Sequence, residues 1–190
     1  RRAYEPIVDF VARTRDLADA GLGDFTTEGL SRVLTSVSGG EMGPMMRLVE
    51  DTDADEFVRD AGLAGLVGLV AVGLQPREAV LDYFRQLFEG RLARDPGILW
   101  TGLVTAAVDL CARELSEQIE RAYADGLVGE QLLPPAEVHK RFQTGSVDDL
   151  ATYLADWYYG YVEDAIDESR AFAEFEEAEL HHRPAQPKAH

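Results

Sequence analysis

The stretch AGLAGLVGLVAVGL, residues 61–74, contains no charged residue, although the chain as a whole is strongly acidic. As a helix with a rise of about 1.5 Å per residue it would extend about 21 Å, which is too short for a hydrocarbon core of roughly 30 Å. Arg59 and Asp60 precede it, and Arg77 and Glu78 follow it. We therefore expect a helix enclosed by other helices. Four of its side chains should be buried: Leu63, Leu66, Val67 and Val70.

The residues before this stretch, EDTDADEF, are acidic at alternate positions. Asp53 and Glu56 have the spacing of a capping pair, and their charge would lie near the positive end of the helix dipole. Asp51, Asp53 and Asp55 also resemble the first ligands of a calcium loop. However, that loop needs glycine at its sixth position, which is Glu56, and a bidentate glutamate at its twelfth, which is Gly62. The sequence therefore predicts a capped helix start and no calcium site.

Amphipathic helical patterns continue on both sides of this stretch, and part of the pattern repeats. VRDAGLAGLVGL, from Val58, aligns with ILWTGLVTAAVD, from Ile98, at an offset of 40 residues. The same offset relates Tyr83 to Tyr123 in the helices that follow. Paired helices with a period near 40 residues are typical of α-solenoids. We predict an all-α protein folded as a HEAT-like α-α superhelix, a right-handed solenoid of antiparallel helix pairs.

The local sequence also resembles the HEAT-type repeat, in which an acidic turn precedes a Val-Arg pair, as in residues 58–61. Glycine within a helix costs about 1 kcal/mol relative to alanine, so close packing between neighbouring helices must compensate for it. The small residues expected to allow that packing are Gly62, Ala64, Gly65 and Gly68. We predict a single helical-repeat domain over residues 1–180, followed by a disordered tail, residues 181–190.

Four segments between Gly23 and Phe142 carry a family resemblance: GDFTTEGLSRVLTSV, MMRLVEDTDADEFVRDAGLAGLVGLVAVG, PREAVLDYFRQLFEG and ERAYADGLV. Their order resembles the bacterial family known as domain of unknown function 1186, with a weaker similarity in YVEDAIDESRAF. The resemblance implies a HEAT-like helical repeat and no known activity. Some members of that family carry a Cys-rich metal-binding module, but Cys111 is the only cysteine of this chain. Neither the module nor its metal is therefore expected.

The charge balance limits the classes of partner. The sequence has 18 Lys and Arg against 35 Asp and Glu, a formal net charge of −17. Such a surface repels nucleic acid and anionic membranes, since both are bound through lysines and arginines. It favours a protein or basic peptide as the partner. A single cysteine, expected to be buried on a helix, fits a reducing compartment, and the first residues lack the apolar core of a signal peptide. We expect a cytoplasmic protein.

The residue types that carry chemistry form no recognisable constellation. His139 has no partner at helical spacing, and the other histidines lie in the tail, so we expect no metal site and no cofactor. Carboxylate pairs such as Glu163 with Asp167 are common by chance in so acidic a chain, and acid-base catalysis would need one member to be shielded. The sequence also lacks a phosphate-binding loop and a nucleophile elbow. These observations favour a protein that is not an enzyme.

The segment ADWYYGYVEDAID is the best candidate for a binding surface, because it joins aromatic and acidic side chains. The residues expected to contact a partner are Trp157, Tyr158, Tyr161, Glu163, Asp164 and Asp167. The aromatic side chains could instead cover the open end of the solenoid or pair with a second copy in a weak homo-oligomer. We therefore predict a non-enzymatic protein- or peptide-binding scaffold. The second hypothesis is an enzyme or small-ligand binder that uses carboxylates on the concave face.

Overall fold

The computed structural model describes residues 3–13, 29–146, 150 and 162. Within these residues the protein is all-helical and has no strand, which confirms the predicted all-α class. No helix in this part of the chain combines the length and apolar character needed to cross a bilayer. The predicted domain end at residue 180 and the tail, residues 181–190, lie outside the described residues.

The described residues form eight α-helices. They are α1 (Tyr4–Arg13), α2 (Leu30–Ser38), α3 (Gly43–Glu50), α4 (Glu56–Ala71), α5 (Arg77–Gln86), α6 (Ile98–Asp109), α7 (Ser116–Ala124) and α8 (Pro135–Thr144). A π-helical turn, Leu87–Arg91, extends α5, and a 3₁₀ turn, Arg113–Leu115, precedes α7.

Helix α4, which contains most of the apolar stretch, lies at the centre of the core. Leu63, Leu66 and Val67 are fully buried, as predicted from their position in the uncharged stretch. Val70 is only half-buried, because it lies in the last turn of α4, where fewer helices surround the chain. Gly65 allows α3 to approach closely: a Cβ atom there would lie 2.9 Å from Sδ of Met45.

The even-numbered helices lie side by side in chain order. Helix α2 contacts α4, α4 contacts α6, and α6 contacts α8. Helices α3 and α5 both pack against α4, and α5 also contacts α6. Helix α1 packs against α2 and α3 at one end. This order places one face of α4 against α6, and the candidate site lies between these two helices.

Two arginines join successive turns of this arrangement. Arg77, at the start of α5, donates from Nε to the carbonyl of Leu110 at 2.7 Å and from Nη2 to that of Cys111 at 2.9 Å. Arg113 donates from Nε to the carbonyl of Phe142 at 2.7 Å. Carbonyls at a helix end have no partner within the helix, so each arginine caps the helix of the next pair.

Two local predictions need correction. Asp55 caps α4, not Asp53, because its Oδ1 accepts from the backbone N–H of Phe57 at 2.9 Å. Cys111 is buried as expected, but it lies in the turn after α6 with a φ of 50°, not on the helix.

The 40-residue offset does not give its two tyrosines equivalent partners. Tyr83 donates its hydroxyl to Met46 of the preceding helix α3 at 3.1 Å. Tyr123 donates to Leu133 in the loop that follows α7 at 2.7 Å. The offset therefore relates helices of similar sequence whose outer contacts differ.

Candidate functional site

The partner-binding residues predicted from the sequence cannot be placed in this fold. Trp157, Tyr158, Tyr161, Glu163, Asp164 and Asp167 all lie outside the described residues. The candidate site is a different one, formed where α4 and α6 lie side by side.

A cavity of about 250 Å³ lies between α4 and α6. Helix α4 contributes residues spaced by three and four, so they share one face of that helix. Helix α6 contributes a similar face along its whole length. The lining residues are Phe57, Asp60 and Ala64 from α4, and Ile98, Thr101, Gly102, Thr105, Ala106 and Asp109 from α6.

Asp60 reaches from α4 to the backbone of α6. Its Oδ1 occupies the position that a Cβ atom of residue 102 would fill, so the contact requires Gly102. Burial, and secondarily the negative charge of Glu56, raises the pKa of Asp60 to about 7. Among the described residues, none donates a hydrogen bond to the Asp60 carboxylate or forms an ion pair with it. No fully buried side-chain oxygen in this part of the chain lacks a partner, so the Asp60 oxygens reach the solvent in the cavity.

The second carboxylate of the cavity, Asp109, has a cationic partner from the next helix. Arg141 of α8 forms an ion pair with Asp109 through Nη2, and only 8% of the Asp109 side chain is exposed. Burial raises the pKa of Asp109, whereas the charge and hydrogen bond of Arg141 oppose that effect without cancelling it. The two carboxylates of one cavity thus differ, because Arg141 neutralises Asp109, whereas no described residue neutralises Asp60.

The hydroxyl groups in the cavity wall are already engaged with the backbone. Thr101 donates to the carbonyl of Gly97 at 3.3 Å, and its oxygen accepts from the N–H of Gly129 at 3.0 Å. Thr105 donates to the carbonyl of Thr101 at 2.9 Å. These protons are therefore not directed at the Asp60 carboxylate, which stays open to a donor from a ligand.

The rim of the cavity combines an aromatic ring and a further carboxylate. Phe57 precedes Asp60 by one helical turn and is 42% exposed, which is uncommon for so large an apolar side chain. Glu56, the first residue of α4, is close enough for its charge to act on Asp60, and its Oε2 accepts from the N–H of Ile98 at 3.3 Å. An apolar plane beside two acidic groups suits a flat organic cation.

The geometry gives less support to a metal site and to a pocket for a whole small molecule. In the part of the chain that the structure describes, no group of three His, Cys, Asp or Glu side chains is arranged to hold a metal ion. The volume of about 250 Å³ is also below the roughly 300–1,000 Å³ typical of small-molecule pockets. The cavity therefore has the size of a site for one inserted side chain.

A larger groove, of about 500 Å³, lies between α7 and α8. Its walls include Ile119, Val138 and Phe142, and its Tyr123 already donates its hydroxyl to Leu133. This groove presents mainly apolar surface and indicates no particular chemistry.

Sequence reasoning placed Asp60 in the acidic and Val-Arg pattern that precedes a repeat helix, and assigned it no functional role. The signal that was available was a carboxylate next to fourteen uncharged residues. Its meaning depends on Gly102, which lies 42 positions later and meets Asp60 only because α4 and α6 are adjacent.

Comparison with known proteins supports the family resemblance. A family model described as "Protein of unknown function (DUF1186)" matches residues 1–176. An "Uncharacterized protein" of Chlamydia trachomatis serovar D is 31% identical over 147 residues, which are 77% of this chain and 58% of that protein. A second one, from Chlamydia muridarum, is also 31% identical over 147 residues and is covered to 59%. The chain thus spans less than two thirds of the length of these relatives. No solved structure matches it.

Proposed function

We propose that this chain, which belongs to the family of proteins of unknown function DUF1186, is a non-enzymatic scaffold that binds a protein or peptide. The proposed architecture is a HEAT-like α-α superhelix, whose even-numbered helices form the binding side. The single observation that carries the proposal is the cavity between α4 and α6, where the carboxylate of Asp60 lies against Gly102 and meets no donor from the described residues.

The order of helix contacts supports the proposed superhelix. In α-solenoids each repeat contacts only its neighbours, and one helix of every pair lines a continuous surface. The contacts from α2 to α4, α6 and α8 follow that order. Two arginines also donate hydrogen bonds to a helix that follows later in the chain: Arg77 to the end of α6 and Arg113 to the end of α8.

The charge of the chain supports a basic partner. A formal charge of −17 attracts cationic proteins and raises the rate at which they associate at low salt. The predicted aromatic and acidic surface around Trp157 would extend the same binding role. We place this binding in the cytoplasm, because the single cysteine allows no disulfide within the chain.

An affinity experiment tests the proposal. The full chain is immobilised and exposed to a bacterial lysate at low salt, beside an unrelated acidic protein of matched net charge. Proteins enriched only on this chain are identified, prepared in pure form and titrated by calorimetry. We expect at least one to bind with a defined stoichiometry and an affinity that falls with salt. The scaffold function is wrong if the two columns enrich the same proteins.

The second candidate function is a small-ligand binder or enzyme at the same cavity. One observation favours it: two carboxylates line the cavity, and the pKa of Asp60 is raised to about 7, in the range suited to a general base. Thermal unfolding in the presence of a panel of small amines and guanidines tests it. A stabilising compound whose effect disappears in Asp60→Asn would favour this function over the scaffold.

Self-association is a third role that the aromatic segment would allow. Light scattering of the full chain and of Trp157→Ala addresses it directly. A larger species that is lost in Trp157→Ala would assign the aromatic residues to contact between copies, and a monomer in both samples would remove that role.

A further inference from the structure

We propose that the cavity between α4 and α6 receives the guanidinium group of an arginine side chain of the partner, with the Asp60 carboxylate as its anion. This inference rests on the proposed function and specifies which chemical group the scaffold recognises.

The contrast between the two carboxylates of the cavity is the first reason. Asp109 has an arginine partner, Arg141, which comes from the adjacent helix α8. Asp60 has no cationic partner among the described residues. A largely buried carboxylate without a counter-charge is costly, and a guanidinium with several N–H groups is the side chain best able to pair with it. No arginine of the described residues neutralises Asp60, and the proposal assigns that role to an arginine of the partner.

The shape of the cavity is the second reason. Gly102 lets the Asp60 carboxylate lie against the backbone of α6, and Phe57 exposes an aromatic ring at the rim. A planar guanidinium binds a carboxylate through two parallel hydrogen bonds and also stacks on aromatic rings. The chain itself contains an arginine over an aromatic ring, since Cζ of Arg94 lies 5.7 Å from the centre of the Trp100 ring.

The charged groups around the cavity explain why arginine is preferred over lysine. Asp60 faces the site from α4 and Asp109 faces it from α6, Glu56 adds negative charge near Asp60, and Arg141 from α8 is paired with Asp109. A cation entering this space loses water. A guanidinium stays protonated under such desolvation, whereas an ammonium group loses its proton more readily.

The test is a titration of the full, isotope-labelled chain with three capped pentapeptides, followed by NMR. The peptides are Ac-Gly-Gly-Arg-Gly-Gly-NH2 and its analogues with lysine or with the uncharged isostere citrulline at the centre. We expect saturable shifts of the Gly102 and Thr105 amides with the arginine peptide. The lysine peptide should bind several-fold more weakly, and the citrulline peptide should give no saturation.

Two variants and one control locate the binding. Asp60→Asn keeps the size of the side chain and should weaken the arginine peptide about tenfold or more. Gly102→Ala should weaken it similarly, because the added methyl group displaces the Asp60 carboxylate. Asp95→Asn, at an exposed position outside the cavity, should bind the peptide as the parent chain does. Spectral dispersion shows in each case that the variant is folded.

Several results would overturn the inference. They are an absence of saturable shifts in the parent chain, equal binding of the citrulline or lysine peptide, and unchanged affinity in Asp60→Asn. The lysate experiment, repeated with Asp60→Asn, separates this failure from that of the proposed function. If the specific partner is retained by Asp60→Asn at unchanged affinity, the scaffold function stands and the arginine site is wrong.

Discussion

Oδ1 of Asp60 on α4 occupies the place that the Cβ atom of a larger residue at Gly102 on α6 would fill. Two helices that are far apart in the chain thus meet through a carboxylate and the bare backbone of a glycine. This contact predicts that the effect of Gly102→Ala on the free energy of unfolding changes sign when Asp60 is replaced by alanine.

In the parent chain, Gly102→Ala should lower the free energy of unfolding by about 1–3 kcal/mol, because the new methyl group and the Asp60 carboxylate compete for one position. In an Asp60→Ala background the same substitution should instead raise it by about 1 kcal/mol, since alanine is the better helix former and nothing opposes it. Urea unfolding of the four proteins measures both values. Equal effects in the two backgrounds would contradict the contact.

The raised pKa of Asp60 predicts how stability depends on pH. The value is about 7 in the folded chain, against an ordinary value of 3.8. The folded state binds the Asp60 proton more tightly than the unfolded state does. The stability that this proton contributes is therefore complete below about pH 4 and is lost as the pH rises through about 7. Asp60→Asn should therefore be more stable than the parent chain at about pH 8, by on the order of 2 to 4 kcal/mol, and this advantage should disappear at about pH 4.

Unfolding in urea across this pH range measures the advantage of Asp60→Asn, with the exposed Asp95→Asn as the control. If the difference between Asp60→Asn and the parent chain does not change with pH, the Asp60 carboxylate is better solvated than its position against Gly102 indicates.

Close packing at the centre of the core predicts a large cost for Gly65→Leu. The first added atom already lies 2.9 Å from Sδ of Met45, and α2 and α3 enclose the rest of the site. Overpacking of this kind costs roughly 1–3 kcal/mol and often more. Gly43→Leu is the matched control, because a Cβ there meets only the end of the Arg47 side chain at 3.7 Å. Thermal unfolding should separate the two variants, and similar midpoints would mean that α3 moves away without cost.

The bonds of Arg77 predict unequal effects of two substitutions. Arg77→Gln removes a donor from two carbonyls at the end of α6 and should cost about 1–3 kcal/mol, since the Leu110 carbonyl loses its side-chain donor and the Cys111 carbonyl keeps only the backbone N–H of Arg113. Glu114→Gln removes only the half-exposed ion pair with Arg77, 2.6 Å in length, and should cost less than about 1 kcal/mol. Urea unfolding gives both numbers, and a larger loss in Glu114→Gln would show that the ion pair, not the carbonyl cap, holds the turn.

The sequence was most informative where one physical property dominates. The run around Leu66 has no charged residue, so a helix formed by it has no side suited to water. Its burial at the centre of a helical core could therefore be predicted. The choice between Asp53 and Asp55 as the cap could not, because both residues precede the helix and only backbone geometry selects one.

The candidate site was beyond sequence reasoning for a related reason. Asp60 looks like the ordinary charged boundary of an apolar helix, and Gly102 looks like one small residue among several. Their roles arise from the lateral contact of α4 and α6, which periodicity along the chain does not determine. The predicted surface around Trp157 lies outside the described residues and stays a prediction.

The hydrogen bonds of Arg77 and Arg113 constrain the number of residues in the chain more than the identity of those residues. Arg77 and Arg113 bond to main-chain oxygens, which every residue type supplies. Substitution at Leu110 or Phe142 would therefore leave the acceptor in place, whereas one inserted residue between Arg77 and Leu110 would move it out of reach. Members of the family should accordingly tolerate many side chains at these acceptor positions and few changes in the number of residues that separate them from the arginines.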